Sequence, residues 1–164
     1  MDFREYVKRG FVILDGGTGS NLQELQKGYI QAGSDVLYAP TFTCNRIKLE
    51  EYGIADRLTE MTEELVGLSR RAIQESGTNR DIFIAGDMTM TGEQLYPMGT
   101  LGFEELIDVY KEQAEALIKA GVDLFAVETM MSLQECRGAV IAIRETCGDK
   151  LPVLVSLTFQ EDMR

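Results

Sequence analysis

The chain has 164 residues, 45% hydrophobic and 26% charged, which is enough ordinary globular sequence to bury one core. A net charge of -11 with no His leaves no clustered Lys and Arg for a nucleic acid or an anionic membrane surface, so neither is expected as a partner. No apolar run approaches the roughly 20 residues of a membrane span, residues 1–10 are charged rather than signal-like, and three irregularly spaced Cys fit a reducing compartment; a cytoplasmic protein with one domain over residues 1–164 is expected.

In chain order, strand and helix patterns alternate. Residues 11–20, FVILDGGTGS, read as a short buried parallel strand that ends at Asp15 and opens into a turn rich in glycine. Gly16, Gly17 and Gly19 let a ligand approach bare N–H groups while Asp15 faces it from the strand end; the plain alternative is a tight β-to-α connection with a capping Asp. Leu22, Leu25, Tyr29 and Ile30 then share a helical face that Gly33 stops, and residues 35–40 read as the second strand, ending at Thr41. Residues 46–52 and 54–74 are helical, the longer segment carrying Leu58, Met61, Leu65, Leu68 and Ile73 near helical spacing until Gly77. The third strand, residues 82–85, has Gly86 and Asp87 at its end and leads into the longest loop, residues 88–102.

The clearest amphipathic helix follows, with Phe103, Leu106, Ile107, Tyr110, Ala114, Leu117 and Ile118 on one face and Gly121 as its stop. Residues 124–127 form the fourth strand, ending at Glu128 and Thr129. Ser132 and Glu135 make a capping box for a helix to about residue 145, and residues 153–157 form the fifth strand, ending at Thr158. QAGSDVLYAPT (31–41) repeats as KAGVDLFAVET (119–129), each a helix end, a glycine stop and a strand. Such alternation predicts an α/β fold with a parallel sheet.

Right-handed crossovers bring all strand ends to one face, where Asp15, Thr41, Asp87, Glu128 and Thr158 converge. Carboxylates at such a mouth suit an ammonium group, and the glycine-turn N–H groups suit a carboxylate, so an amino acid is a natural guest. Soft Met residues at 88, 90, 98, 130 and 131 flank the mouth; gap filling is their commoner use, and a cradle for a thioether-like substrate is the alternative.

ILDGGTGSNLQ, AGSDVLYAPTFTCNRIKLEEYG, GVDLFAVETMMSLQECRGAV and LPVLVSLTFQED together resemble the homocysteine S-methyltransferase family, the homocysteine-binding barrel of cobalamin-dependent methionine synthase and betaine-homocysteine methyltransferase. The resemblance implies parallel β/α units of a TIM-type barrel, with about five of its eight strands in this sequence, and methyl transfer to the sulfur of homocysteine. It implies that Asp15 and Glu128 hold the homocysteine amino group while Gly16, Gly17 and Thr41 line the pocket around the backbone end of the substrate. Asp87 and Asn45 are nearby candidates.

The family's zinc is implied to sit on three cysteines, one after the sixth strand and an adjacent pair near the barrel's end, and five strand patterns contain no counterpart to them. A metal-held thiolate would serve the attack on the methyl donor. Cys44 falls past the second strand, while Cys136 and Cys147 are separated by roughly 16 Å of helix, too far for one ion. Cobalamin or folate would enter as methyl source through other domains, with a corrinoid protein as a partner. Family members usually carry a longer segment near residues 21–24, so one pocket wall is expected to be short. Open strand edges predict self-association. Two alternatives accompany this reading: an open doubly wound sheet, and a non-catalytic fragment or assembly module that keeps the half-barrel without turnover. A phosphate ligand on the DGGTGS turn is a weaker third, because barrels usually place phosphate after strands seven and eight.

Overall fold

The structure is a computed structural model, and it describes residues 1–16, 21–159 and 161. A four-stranded parallel sheet in the order β1-β2-β3-β4 is built from β1 (Val36–Tyr38), β2 (Phe83–Met88), β3 (Leu124–Met130) and β4 (Val153–Leu157). Each strand lies beside the next in sequence, so every crossover steps the same way and the helices that connect the strands stack on one face. That is the winding of a barrel sector. A doubly wound sheet would reverse its strand order at a switch point, and this one does not, which overturns that alternative.

The helices are α1 (Phe3–Val7), α2 (Leu22–Ala32), α3 (Arg46–Glu50), α4 (Leu58–Ser76), α5 (Phe103–Ala120) and α6 (Leu133–Cys147), with a 3-10 turn at Ala55–Arg57. Strand alternation divides the core in two. Leu37, Ile84, Met88, Phe125 and Val127 face the helical layer, most of them packed with Leu106, Tyr110, Leu117, Ala139 and Ile143. Val36, Phe83, Ala85, Leu124 and Ala126 face the other way, and Phe3 of α1 packs against them, its ring edge-on to Phe83 at 5.0 Å. Gly86 is where β2 meets α5 most closely: a Cβ there would lie 3.0 Å from the Leu117 methyl groups.

Three local expectations are corrected. The first predicted strand, residues 11–14, pairs through a single parallel bridge, Leu14 to Val36, with Asp15 N–H donating to the Val36 carbonyl at 3.0 Å. It lies at the sheet's edge with Phe11, Ile13 and Leu14 exposed, so no second neighbour extends the ladder. In α4 the most buried positions are Leu58, Thr62, Val66, Ser69 and Ala72, so of the predicted stripe only Leu58 is fully buried, while Met61, Leu65 and Ile73 are partly buried. The helix is flanked by α2 and α5, and small residues allow that close approach on both sides. Finally, the Ser132 hydroxyl caps α6 by accepting from Glu135 N–H at 3.2 Å, but Glu135 does not close the box. Its buried carboxylate instead accepts from Thr91 N–H at 2.9 Å, the Thr91 hydroxyl at 3.1 Å and the Tyr110 hydroxyl at 3.2 Å, tying the loop after β2 to α5 and α6.

Candidate functional site

At the carboxyl ends of the strands, Asp15, Gly16, Tyr38, Ala39, Pro40, Phe42, Asp87 and Glu128 enclose a cleft of about 370 Å³. Register explains the convergence: Asp87 sits beside Ala126, and alternation puts Tyr38, Asp87 and Glu128 on the same sheet face. A larger concavity, about 390 Å³, is lined by helical-layer residues such as Asp56, Thr59, Glu115 and Lys119, and no strand end reaches it. The strand-end cleft is therefore the candidate site.

Asp15 is aimed by β1. One carboxylate oxygen accepts from Tyr38 N–H at 3.0 Å, while Oδ2 is buried without a hydrogen-bond partner among the described residues. Tyr38 is itself fixed from behind, because the fully buried Gln26 donates to its carbonyl at 2.9 Å. Gly16 admits the Tyr29 side chain, whose hydroxyl would lie 2.8 Å from any Cβ at that position. Glu128 stands at a register irregularity between Val127 and Met130, where Thr129 adopts a φ of 55°. A β-branched residue in the left-handed region is strained, and a bulge of this kind turns side chains out of the regular pleat.

The cleft is acidic and contains no Lys or Arg among its described lining residues. Burial pushes the Asp15 carboxyl up to about 7, with the nearby Glu128 charge adding to the rise and the Tyr38 and Asp15 backbone N–H groups opposing it. Burial pushes Asp87 further, to about 8, reinforced by Glu128 and Asp15 and opposed by the Met88 backbone N–H. Glu128 is raised by burial, and the Tyr38 hydroxyl is pushed up to about 12 by burial and then by the three carboxylates around it. Three carboxyl groups whose protonated forms are favoured by burial thus share one cleft.

The structure brings Asp15, Gly16, Asp87 and Glu128 together and places Thr41 and Asn45 elsewhere. Thr41 is buried; its hydroxyl donates to the Asp87 carbonyl at 2.9 Å and accepts from Asp87 N–H at 3.1 Å, so it holds the backbone of a pocket residue instead of lining the pocket. Asn45 caps α3 by accepting from Lys48 N–H at 3.0 Å. Gly17 lies outside the described residues. None of the five loop methionines lines the cleft; Met88 and Met130 are core residues, and the Met90 sulfur accepts from Met131 N–H. Tyr38 and Phe42, which supply the aromatic walls, carry no sequence signal beyond lying next to a strand end.

The thiols do not fit a zinc ion. Cys44 is buried against the Thr62 hydroxyl at 3.4 Å, Cys136 is packed in the α5–α6 core, and Cys147 ends α6. Burial raises the Cys44 and Cys136 thiols, as expected of thiols packed in a core. No group of three His, Cys, Asp or Glu side chains able to hold a metal occurs among the described residues.

The profile of the homocysteine S-methyltransferase family matches residues 12–164. Methionine synthase of Mycobacterium tuberculosis (strain ATCC 25618 / H37Rv) is 29% identical over 143 residues, covering 85% of this chain and 12% of that protein. Methionine synthase of Mycobacterium leprae (strain TN) matches with the same identity and coverage. The chain thus spans 12% of the length of these curated relatives. Among solved structures, the oxidized form of the homocysteine methyltransferase MmuM from Escherichia coli superimposes with a TM-score of 0.77 at 17% identity, over 96% of this chain and 66% of that one. Its metallated form gives 0.73 at 15% identity. The likeness to MmuM establishes the parallel β/α fold, and the profile match establishes the lineage: the chain belongs to the homocysteine S-methyltransferase family.

Proposed function

We propose that residues 1–164 form the homocysteine-binding part of a homocysteine S-methyltransferase, and that the acidic cleft holds the substrate by its ammonium group. The observation that carries this reading is the buried, unpartnered Oδ2 of Asp15 in a cleft that also presents Glu128 and contains no cation among its described residues. An ammonium satisfies such oxygens with charge-assisted hydrogen bonds, worth roughly 1.5–3 kcal/mol each. Asp15 and Glu128 are its proposed acceptors. Gly16 and Gly17 would meet the substrate carboxylate through backbone N–H groups, and Thr41 would act through Asp87, whose backbone it fixes.

Zinc, and cobalamin or folate through other domains or a corrinoid partner, belong to the same proposal as family properties with no seat on the described thiols. A cytoplasmic location is likewise proposed; no helix of the described residues is long and apolar enough to cross a membrane. The alternative to this reading is a binding module without turnover. Titrating L-homocysteine into the purified chain, followed by an assay of methyl transfer with added zinc and donor, separates the two. Binding that Asp15→Asn weakens tenfold or more supports the amino-acid site, and unchanged affinity removes Asp15 from it.

A further inference from the structure

A third acid faces the cleft beyond the pair assigned above. Asp87 is 6% exposed, near the carboxyl end of β2, and its Oδ1 is buried with no hydrogen-bond partner among the described residues. Its backbone, by contrast, is held at both ends: the Thr41 hydroxyl donates to its carbonyl and accepts from its N–H. Gln113 on α5 in turn donates to the Thr41 carbonyl at 3.1 Å, bracing the same corner from the helical layer. Asp87 lines the cleft, and a lining carboxyl on so rigidly held a backbone is the arrangement of a preorganised binding group. The Met88 backbone N–H supports the carboxyl, yet a buried oxygen without a partner is costly, and Oδ1 has none among the described residues.

We propose that Asp87 is the third acceptor for the substrate's ammonium group and makes the cleft selective for an unsubstituted primary ammonium over an N-alkylated one. The inference rests on the ammonium-binding reading of the same cleft. A primary ammonium has three N–H donors, and Asp15, Asp87 and Glu128 supply three carboxylates around one cavity. Replacing one N–H by a methyl group leaves an acid unpaired in a desolvated site, and a site built to hydrogen-bond a group rejects the analogue lacking it more strongly than an apolar pocket rejects a missing methylene. The raised ionisation ranges of Asp15 and Asp87 agree with acids that give up their protons when a cation enters between them. Tyr38 on β1 and Glu128 on β3 are the other titratable groups around Asp87, and neither can neutralise it.

The test is calorimetric titration of the chain with L-homocysteine and with N-methyl-L-homocysteine, for wild type, Asp87→Asn and Asp87→Ser. Asp87→Asn preserves shape and removes a charge, so a folded protein is expected, checked by its melting curve. The expected results are tenfold or more weaker homocysteine binding by Asp87→Asn, and a wild-type preference for homocysteine over the N-methyl compound of tenfold or more. In Asp87→Ser, where the smaller side chain leaves room for a methyl group, that preference should shrink to about twofold. If wild type binds homocysteine and Asp87→Asn binds it within twofold, or if Asp87→Ser keeps the full preference, the inference fails and the ammonium-binding reading survives. A wild-type chain that binds no homocysteine overturns both.

Discussion

Asp35 and Asp87 are equally buried, each 6% exposed, near opposite ends of adjacent strands, and their surroundings differ completely. At the amino-terminal end, Asp35 accepts from the Tyr6 hydroxyl at 2.8 Å, from Ile13 N–H at 2.9 Å and from the Arg80 guanidinium at 3.0 Å. Arg80 also donates to the carbonyls of Ile30, Gly33 and Ser34, so one guanidinium closes the end of α2 and the start of β1 together. At the carboxyl end, Asp87 and Asp15 each leave an oxygen unsatisfied, and the charged residues among the described lining of their cleft are all acidic. The same residue type thus fastens one end of the sheet and leaves the other open to a ligand. That division is the one expected of parallel barrels, in which the amino-terminal face stabilises and the carboxyl-terminal face binds.

Variants can break this contrast from either side. Arg80→Met should have the largest effect, a loss of about 2–3 kcal/mol, because it strands the Asp35 charge; the figure allows for the partial exposure of Arg80. Urea denaturation at pH 7 measures it, and homocysteine affinity of the folded protein should change less than twofold. Asp87→Asn should act in the opposite direction. The native carboxyl keeps its proton to about 8 whereas an unfolded Asp releases it near 4, so the native state binds more protons between those values. This group therefore costs stability as pH rises through that window, and Asp87→Asn should gain stability at pH 8 and almost nothing at pH 4. A gain in stability together with a loss of ligand affinity would mark a functional residue.

Smaller effects test the supports of the mouth. Thr41→Val should cost about 1–1.5 kcal/mol in denaturant and weaken homocysteine severalfold, although the hydroxyl lies outside the cleft lining, because both backbone groups of Asp87 lose their partner. Thr41→Ser should restore both properties. Thr129→Gly should gain about 0.5 kcal/mol by relieving the positive φ beside Glu128, measured as a raised melting temperature.

What the sequence made legible was whatever local patterning dictates. The α5 face, with Leu106, Ile107, Tyr110, Ala114 and Leu117 all buried, follows directly from helical spacing. The repeat from Gln31 to Thr41 and from Lys119 to Thr129 became two equivalent units, each with a left-handed Gly cap, Gly33 or Gly121, before an Asp and a strand. The convergence of Asp15, Asp87 and Glu128 followed from parallel topology alone. Tertiary partnerships were not legible. Gln26 is a polar residue at apolar-face spacing between Leu22 and Ile30 and reaches the Tyr38 carbonyl, Thr41 looks like a mouth hydroxyl but serves the backbone, and Glu135 fits a capping box yet anchors a distant loop. In each case a buried polar group found its partner across the fold, where sequence spacing carries no information. Residues 11–14 read as a full strand for a related reason: periodicity reports apolar character and not how many neighbours the sheet offers.

The central claim is that the mouth is a seat for an ammonium group. Calorimetric titration of the wild-type chain at pH 7.5 with L-homocysteine and with 4-mercaptobutanoate, which keeps the thiol and the carboxylate but lacks the amine, tests it most directly. Binding of homocysteine at least a hundredfold tighter than the deaminated compound is the predicted result, equivalent to about 2.7 kcal/mol placed on the ammonium. Equal affinity for the two would contradict the account, because the three carboxylates would then contribute nothing to recognition.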